Sequence, residues 1–323
     1  MRSRREIAMQ TTSKLALIEQ ATFTTEKPAE IRTRLKGLME SGEITLRVIA
    51  KFTSYSAPTI SQALDGTYEG DVEKVEDGLA RFYRNWVATH AIIETSVVRE
   101  IHATMLLGWR RKELVLITGK YGSGKSKAAS RFVALNPEFA AYTELTSTTS
   151  PGSFLHRIAE ALNIESQMVG SQDDKLFSVI RALQRKPRLL VVDEADNLKI
   201  KVLALLKDIH GGEASERCAI VLIGTERLKK ILQDPMLGYL RRRIRIKREV
   251  GDISFDEARK VADMWPNSLD RDELKQAWEW SKRRFGIASL VALMARSWDA
   301  MQMNNKKRID SDSLEEGFSW LLD

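Results

Sequence analysis

A single cysteine, Cys218, stands in the whole chain. No internal disulfide can form, and a zinc site built on cysteines is excluded. Set inside the apolar run CAIVLIG, that thiol is expected to be buried and inert. Histidine is almost as scarce. His90, His102, His156 and His210 are scattered without ligand spacing, so none is assigned to a metal. No apolar run approaches the ~18 residues that a membrane span requires. The basic N-terminus, MRSRREIAMQTTSKLALIEQ, has no signal-type apolar core. These absences predict a cytoplasmic protein with no membrane partner. Also missing are internal repeats, low-complexity tracts, a nuclease-like carboxylate cluster and a Ser/His/Asp arrangement.

What remains is an ordinary globular balance. The 323 residues are 43% hydrophobic and 29% charged, enough for two or three domains and a sizeable core. A formal net charge of +7 suggests a polyanionic partner.

Patterning divides the chain into five parts. Residues 1–28 read as a flexible basic arm or, equally in keeping with their composition, a plain disordered extension. Residues 29–86 form a small helical domain. IRTRLKGLMESG has a helical apolar spacing and stops at Gly42; TLRVIAKF follows. After the polar turn TSYS, the stretch APTISQALDG carries Ser56 as a cap, Pro58 in the first turn and Gly66 at its end. Two short helices across a tight turn make a helix-turn-helix, whose second helix enters the DNA major groove. The same pattern also fits an ordinary helical hairpin. Ser54 stands where that turn often has glycine and would have to adopt a left-handed conformation. If the segment binds DNA, Ser56, Thr59, Ser61 and Gln62 face outward. These small polar groups suit phosphate contacts, and no arginine is placed for a bidentate guanine contact.

Residues 87–107 read as a helical connector, within a long helical stretch from Asp71 to Trp109. Residues 108–250 alternate strands and helices. ELVLIT, AAYTELT, RLLVVDEAD and CAIVLIG are strand candidates, and the alternating RIRIK is a last strand near an edge. Near-continuous Val/Ile/Leu strands separated by helices predict an α/β fold with a mostly parallel sheet covered on both faces. Residues 251–323 carry four helical periods and predict a small four-helix bundle.

The chemistry sits in the middle part. Gly119 to Ser126, GKYGSGKS, matches the P-loop pattern GxxxxGK[ST]. Gly119, Gly122, Ser123, Gly124, Lys125, Ser126 and Lys127 form the expected nucleotide cradle. Its glycines let backbone N–H groups curl around a phosphate, and the following helix points its positive end at the anion. Lys125 would reach the β- and γ-phosphates of ATP, and Ser126 would ligate Mg²⁺ together with Asp193, at the end of LLVVDEAD. Glu194 is the candidate base that polarises the attacking water. Thr225, after CAIVLIG, would orient that water near the γ-phosphate. Six of the eight residues 241–248 are basic. The run reads equally as a solvated charged face, as a source of DNA-phosphate contacts, or as the seat of an arginine finger. Arg243, or failing that Arg242, would then reach the ATP of a neighbouring subunit.

The order of these parts resembles the AAA+ ATPases: an N-terminal helix-turn-helix, a P-loop core with a DEAD-type acidic motif and a C-terminal four-helix lid. More narrowly, TLRVIAKFTSYSAPTISQALDGTYEGD, ETSVVREIHATM, the P-loop, LLVVDEADNL, VLIGTERL and RRRI resemble the Mu B-like DNA transposition family. The resemblance runs from about residue 30 to the end. It implies an ATPase that binds double-stranded DNA with little sequence preference and assembles on it as a helical homo-oligomer. Such a protein presents target DNA to a transposase, stimulating transposition and giving target immunity, in a bacterial or phage-infected host cytoplasm. Oligomerisation, DNA and transposase are expected to stimulate the hydrolysis. The family's lid arginine, in a GALR-like stretch, is replaced here by GIASL, with Ser289 at that place and Arg284 or Arg296 as possible substitutes. An ATP-switched transcription regulator and a helicase-loader-like replication ATPase are the alternative readings.

Overall fold

The structure is a computed structural model that describes residues 27–40, 44–90, 92–185, 188–211, 217–265 and 269–321. Most of the expected basic arm, and Gly42, lie outside the described residues.

The chain begins with α1 (Pro28–Glu40), α2 (Leu46–Thr53), α3 (Ala57–Asp65) and α4 (Val72–His90). Ser54, at φ 60° and ψ 20°, turns the chain between α2 and α3 in the left-handed conformation expected of it. Ser56 caps α3 by accepting from Thr59 N, Pro58 sits in its first turn, and Gly66 ends it at φ 74°. Helices α1 to α3 pack on α4 around the fully buried Leu35, Ile49 and Ile60 and the almost fully buried Leu79.

The expected helical connection from 71 to 109 is two helices. A new one, α5 (Ser96–Arg111), starts where the Thr95 side chain accepts from Val98 N. It packs on the sheet, so the boundary drawn at 107/108 falls inside an element of the core. Gly108 makes the approach possible, since a Cβ there would overlap Val115 on the first strand.

Next come β1 (Leu114–Gly119), α6 (Lys125–Leu135), β2 (Ala140–Glu144), α7 (Pro151–Leu162), α8 (Gln172–Arg185) and β3 (Leu189–Asp193). They are followed by α9 (Ile200–His210), β4 (Ala219–Gly224), α10 (Glu226–Ile231), α11 (Gly238–Arg243) and β5 (Ile244–Val250). Helix α8 has no counterpart in the sequence reading. The five strands form one sheet in the order β2-β3-β4-β1-β5, and every pair is parallel. Strands β1, β3 and β4 are buried along their whole lengths, as runs without alternation require. Strand β5 is an edge strand whose middle residues are mostly exposed. Cys218 is buried, and desolvation pushes its thiol up to about 12, the inert state expected of it.

Four helices follow: α12 (Phe255–Ala262), α13 (Arg271–Arg283), α14 (Ile287–Met303) and α15 (Ser311–Ser319). Trp280 packs on Phe318 with ring centroids 5.0 Å apart, and Glu273 receives Ser311 Oγ at 3.1 Å and Arg308 at 3.4 Å. Among the described residues, 92–254 with 281–289 form one compact unit, and the remainder form a second.

Candidate nucleotide site

The carboxyl ends of β1, β4 and β3 lie side by side, with Thr118 opposite Gly224 and Val192 opposite Leu222. This is the rim where open parallel sheets bind ligands. It brings the loop after β1, the acids after β3 and Thr225 after β4 to one place.

The loop turns through Gly122 at φ 70° and Gly124 at φ 87°, and α6 begins at Lys125 with no side-chain cap on its first N–H groups. Those groups and the helix dipole form a ready anion site. Lys125 is buried, and its Nζ donates to Gly119 O at 2.8 Å, Lys120 O at 2.7 Å and Ser123 Oγ at 3.2 Å. Burial lowers its pKa, against the opposing pull of Asp193, Asp196 and Glu194. The ammonium therefore lies within the field of all three acids. Ser126 and Lys127 are exposed on the first turn of α6.

Gly122 is constrained twice. Its φ is positive, and a Cβ would overlap the Phe285 carbonyl. Phe285 belongs to the turn between α13 and α14, which sits directly on the loop: Ala288 N donates to Gly122 O at 3.0 Å. Lys120 also pairs with Asp252 at 3.5 Å. Ser289, where the family resemblance puts an arginine, is buried and accepts from Phe285 N at 3.1 Å, shaping the turn. Arg296 pairs with Asp299 at 3.5 Å. We expect Gly122→Ala to lower nucleotide affinity at least ~10-fold, because a forced left-handed residue alone costs on the order of 1–3 kcal/mol. Fluorescent-nucleotide titration measures this, and thermal melting of the same variant separates lost affinity from lost fold.

Asp193 is almost fully buried. Its Oδ2 accepts from the Tyr142 hydroxyl at 2.6 Å and its Oδ1 from Glu194 N at 2.8 Å. Burial and the Asp193 charge push the Tyr142 pKa far up, so it remains a donor. Each Asp193 oxygen keeps a free lone pair. That carboxylate and the Ser126 hydroxyl are hard oxygen donors, a set that fits Mg²⁺, which keeps water and takes phosphate oxygens. Glu194 is half-buried and adopts a left-handed φ of 53°. Desolvation first, then Asp193, Asp196 and Glu144, raise its pKa. A carboxylate so placed is more basic than usual.

Thr225 is buried and hydrogen-bonded to Asp196, through its amide at 2.9 Å and through its hydroxyl. Arg243, at the end of α11, donates Nη1 to Lys207 O at 3.0 Å, closing the last turn of α9. Arg241 and Arg242 beside it are exposed. In the N-terminal helices, Ser56 Oγ and Thr59 Oγ1 are 2.8 Å apart and bond each other, so both are already engaged in the cap. Gln62 is exposed and Ser61 is half-buried. Arg47 and Lys51, exposed on α2, offer charge that the sequence reading did not select. It also missed Tyr142, Asp196 and the 285–288 turn. Only Asp196 left a signal, as the last letter of DEAD.

Residues 109–232 match the family model of an AAA domain. The chain is 27% identical over 306 residues to the ATP-dependent target DNA activator B of Escherichia phage Mu, covering 90% of this chain and 94% of that protein. It is 27% identical over 254 residues to the Mu-like prophage FluMu DNA transposition protein B of Haemophilus influenzae, covering 75% of this chain and 87% of the relative. Among solved structures, the Aeropyrum pernix ORC1 protein in complex with DNA superposes with a TM-score of 0.57 at 16% identity, over 73% of this chain and 69% of that one. The chain has the AAA+ P-loop ATPase fold and is similar, over most of its length, to the Mu-type ATP-dependent target DNA activators.

Proposed function

We propose that this protein is an ATP-hydrolysing activator of DNA transposition that assembles on target DNA when it binds ATP and presents that DNA to a transposase. One observation carries the reading. A complete phosphate loop and acid pair occupy one rim of an AAA+ sheet, in a chain similar over nine-tenths of its length to a target DNA activator. Lys125 and the N–H groups of the loop hold the phosphates. Mg²⁺, held by Ser126 and Asp193 when bound, neutralises developing charge. Glu194 polarises the water. The α2–α3 pair forms a helix-turn-helix that touches DNA through Ser56, Thr59, Ser61 and Gln62, with Arg47 and Lys51 on the backbone side. Residues 251–323 act as the lid. No described helix is long and apolar enough to cross a membrane.

The direct test is binding to random-sequence duplex in ATP and in ADP. Tight, cooperative, sequence-indifferent binding in ATP alone supports the reading, and electron microscopy of the same sample should show helical filaments. A preferred operator with a footprint of one or two helical turns refutes it.

Arg243 is proposed as the finger that reaches a neighbour's ATP, exchanging the Lys207 carbonyl for phosphate. Arg243→Ala is then expected to lower the ATPase rate by roughly 10³-fold. A finger acting between subunits makes a further demand. Arg243→Ala mixed with Glu194→Gln should recover activity that neither variant has alone. Failure to complement, with both variants folded, assigns Arg243 to capping α9 only.

A further inference from the structure

Asp196 has no part in the reading so far, yet it is closely bound to the rim. It lies on the short turn Ala195–Asn197 directly after Glu194 and is 5% exposed. Its three described hydrogen bonds all come from one residue. Thr225 N donates to Oδ2 at 2.9 Å and to Oδ1 at 3.1 Å, and Thr225 Oγ1 donates to Oδ2. The fit is close enough that a Cβ on Gly224 would overlap Asp196 Oδ1.

The hydrogen-bond inventory of Thr225 then becomes restrictive. A hydroxyl has one hydrogen and two lone pairs. Both Asp196 oxygens accept the Thr225 amide, so the carboxylate acts as an acceptor and the hydroxyl hydrogen goes to it. One lone pair takes Arg227 N–H at 3.2 Å, which starts α10. A single lone pair remains. It can accept a hydrogen from water. It cannot bond a phosphate oxygen, because that oxygen is also only an acceptor.

We propose that Asp196 is a positioning residue that holds Thr225 as a hydrogen-bond acceptor, so that Thr225 acts on the attacking water and not on the γ-phosphate. This rests on the reading that the loop binds and hydrolyses ATP. Its consequence is specific. Thr225 contributes to turnover and contributes nothing to telling ATP from ADP, a distinction left to Lys125 and the loop amides.

The test uses the full-length protein and three variants, with two readouts. One is kcat and KM for ATP. The other is the ratio of affinities for a slowly hydrolysed ATP analogue and for ADP, measured by fluorescence titration. Thr225→Val should lower kcat by ~10²-fold, the scale on which misplacing a reacting group costs rate, with the affinity ratio kept within about twofold of wild type. Thr225→Ser, which keeps the hydroxyl, should restore most of kcat. Asp196→Asn replaces one acceptor oxygen by a donor and should lower kcat at least ~10-fold with the ratio again unchanged. A loss of ~10-fold or more in the ratio for Thr225→Val would overturn the proposal, since it would mean a bond to the γ-phosphate. Wild-type kcat in Asp196→Asn would overturn it as well. Should Thr225→Val fail to fold, the Asn variant carries the same two readouts. A wild-type protein that neither binds nor hydrolyses ATP refutes the functional reading instead, so the two failures are distinguishable.

Discussion

Lys125→Ala is expected to abolish nucleotide-dependent DNA binding. Each charge-assisted hydrogen bond is worth about 1.5–3 kcal/mol, so two bonds to phosphate oxygens amount to roughly 3–6 kcal/mol, or about 10²–10⁴ in affinity. The wild-type ammonium must first release Gly119 O, Lys120 O and Ser123 Oγ. That exchange puts the loss near the lower end, still at least ~10²-fold. Isothermal titration with ATP, beside thermal melting, separates lost affinity from lost fold. Arginine is a poor substitute, because its planar fork does not fit a pocket shaped around a compact ammonium. ATP affinity within about threefold of wild type in Lys125→Ala would remove this lysine from the phosphate site.

Glu194→Gln should behave in the opposite way. It keeps the loop and lysine, so ATP and DNA still bind, while hydrolysis falls by roughly 10²–10⁴-fold. Protein should then accumulate on DNA in ATP and leave it only slowly. The wild-type pH profile offers an independent check. Desolvation and the neighbouring acids raise the Glu194 pKa. Its basic form is therefore lost as pH falls through a value above the ordinary glutamate range, and the acid limb of kcat should lie there. In Glu194→Gln that limb should disappear from the residual rate. Normal hydrolysis by this variant would assign the base elsewhere.

Much of this site was legible because its parts are local. The loop pattern spans eight residues, and the strands that deliver it are unbroken Val/Ile/Leu runs that only a doubly covered parallel sheet accommodates. Asp193 and Glu194 are adjacent, and a strand ending in acids beside a P-loop has few other readings. What escaped was non-local. Tyr142 meets Asp193 across 51 residues, and Asp196 meets Thr225 across 29. Neither partner carries a motif that points to the other. The contact between Ala288 and Gly122 runs through backbone atoms, to which side-chain patterns are blind. Ser289 looked like a missing arginine because sequence comparison sees the side chain that is absent, and not the turn that the serine builds. Helix α8 escaped for a different reason: it buries only Val179 and Leu183, too sparse a stripe to stand out from a polar segment.

The edge strand β5 bears on how copies of this protein can associate. An exposed parallel edge is a template for adding another strand, and therefore for uncontrolled sheet growth. Here Arg245 and Lys247 are exposed along it beside Arg248, which pairs with Glu100, and Glu249, which pairs with Lys229, on a strand whose partner on one side is β1. A second copy docking edge to edge would have to strip water from these charged side chains, which opposes the pairing. The cations thus act as gatekeepers. They close the route by which an uncovered sheet edge would otherwise seed cross-β aggregation.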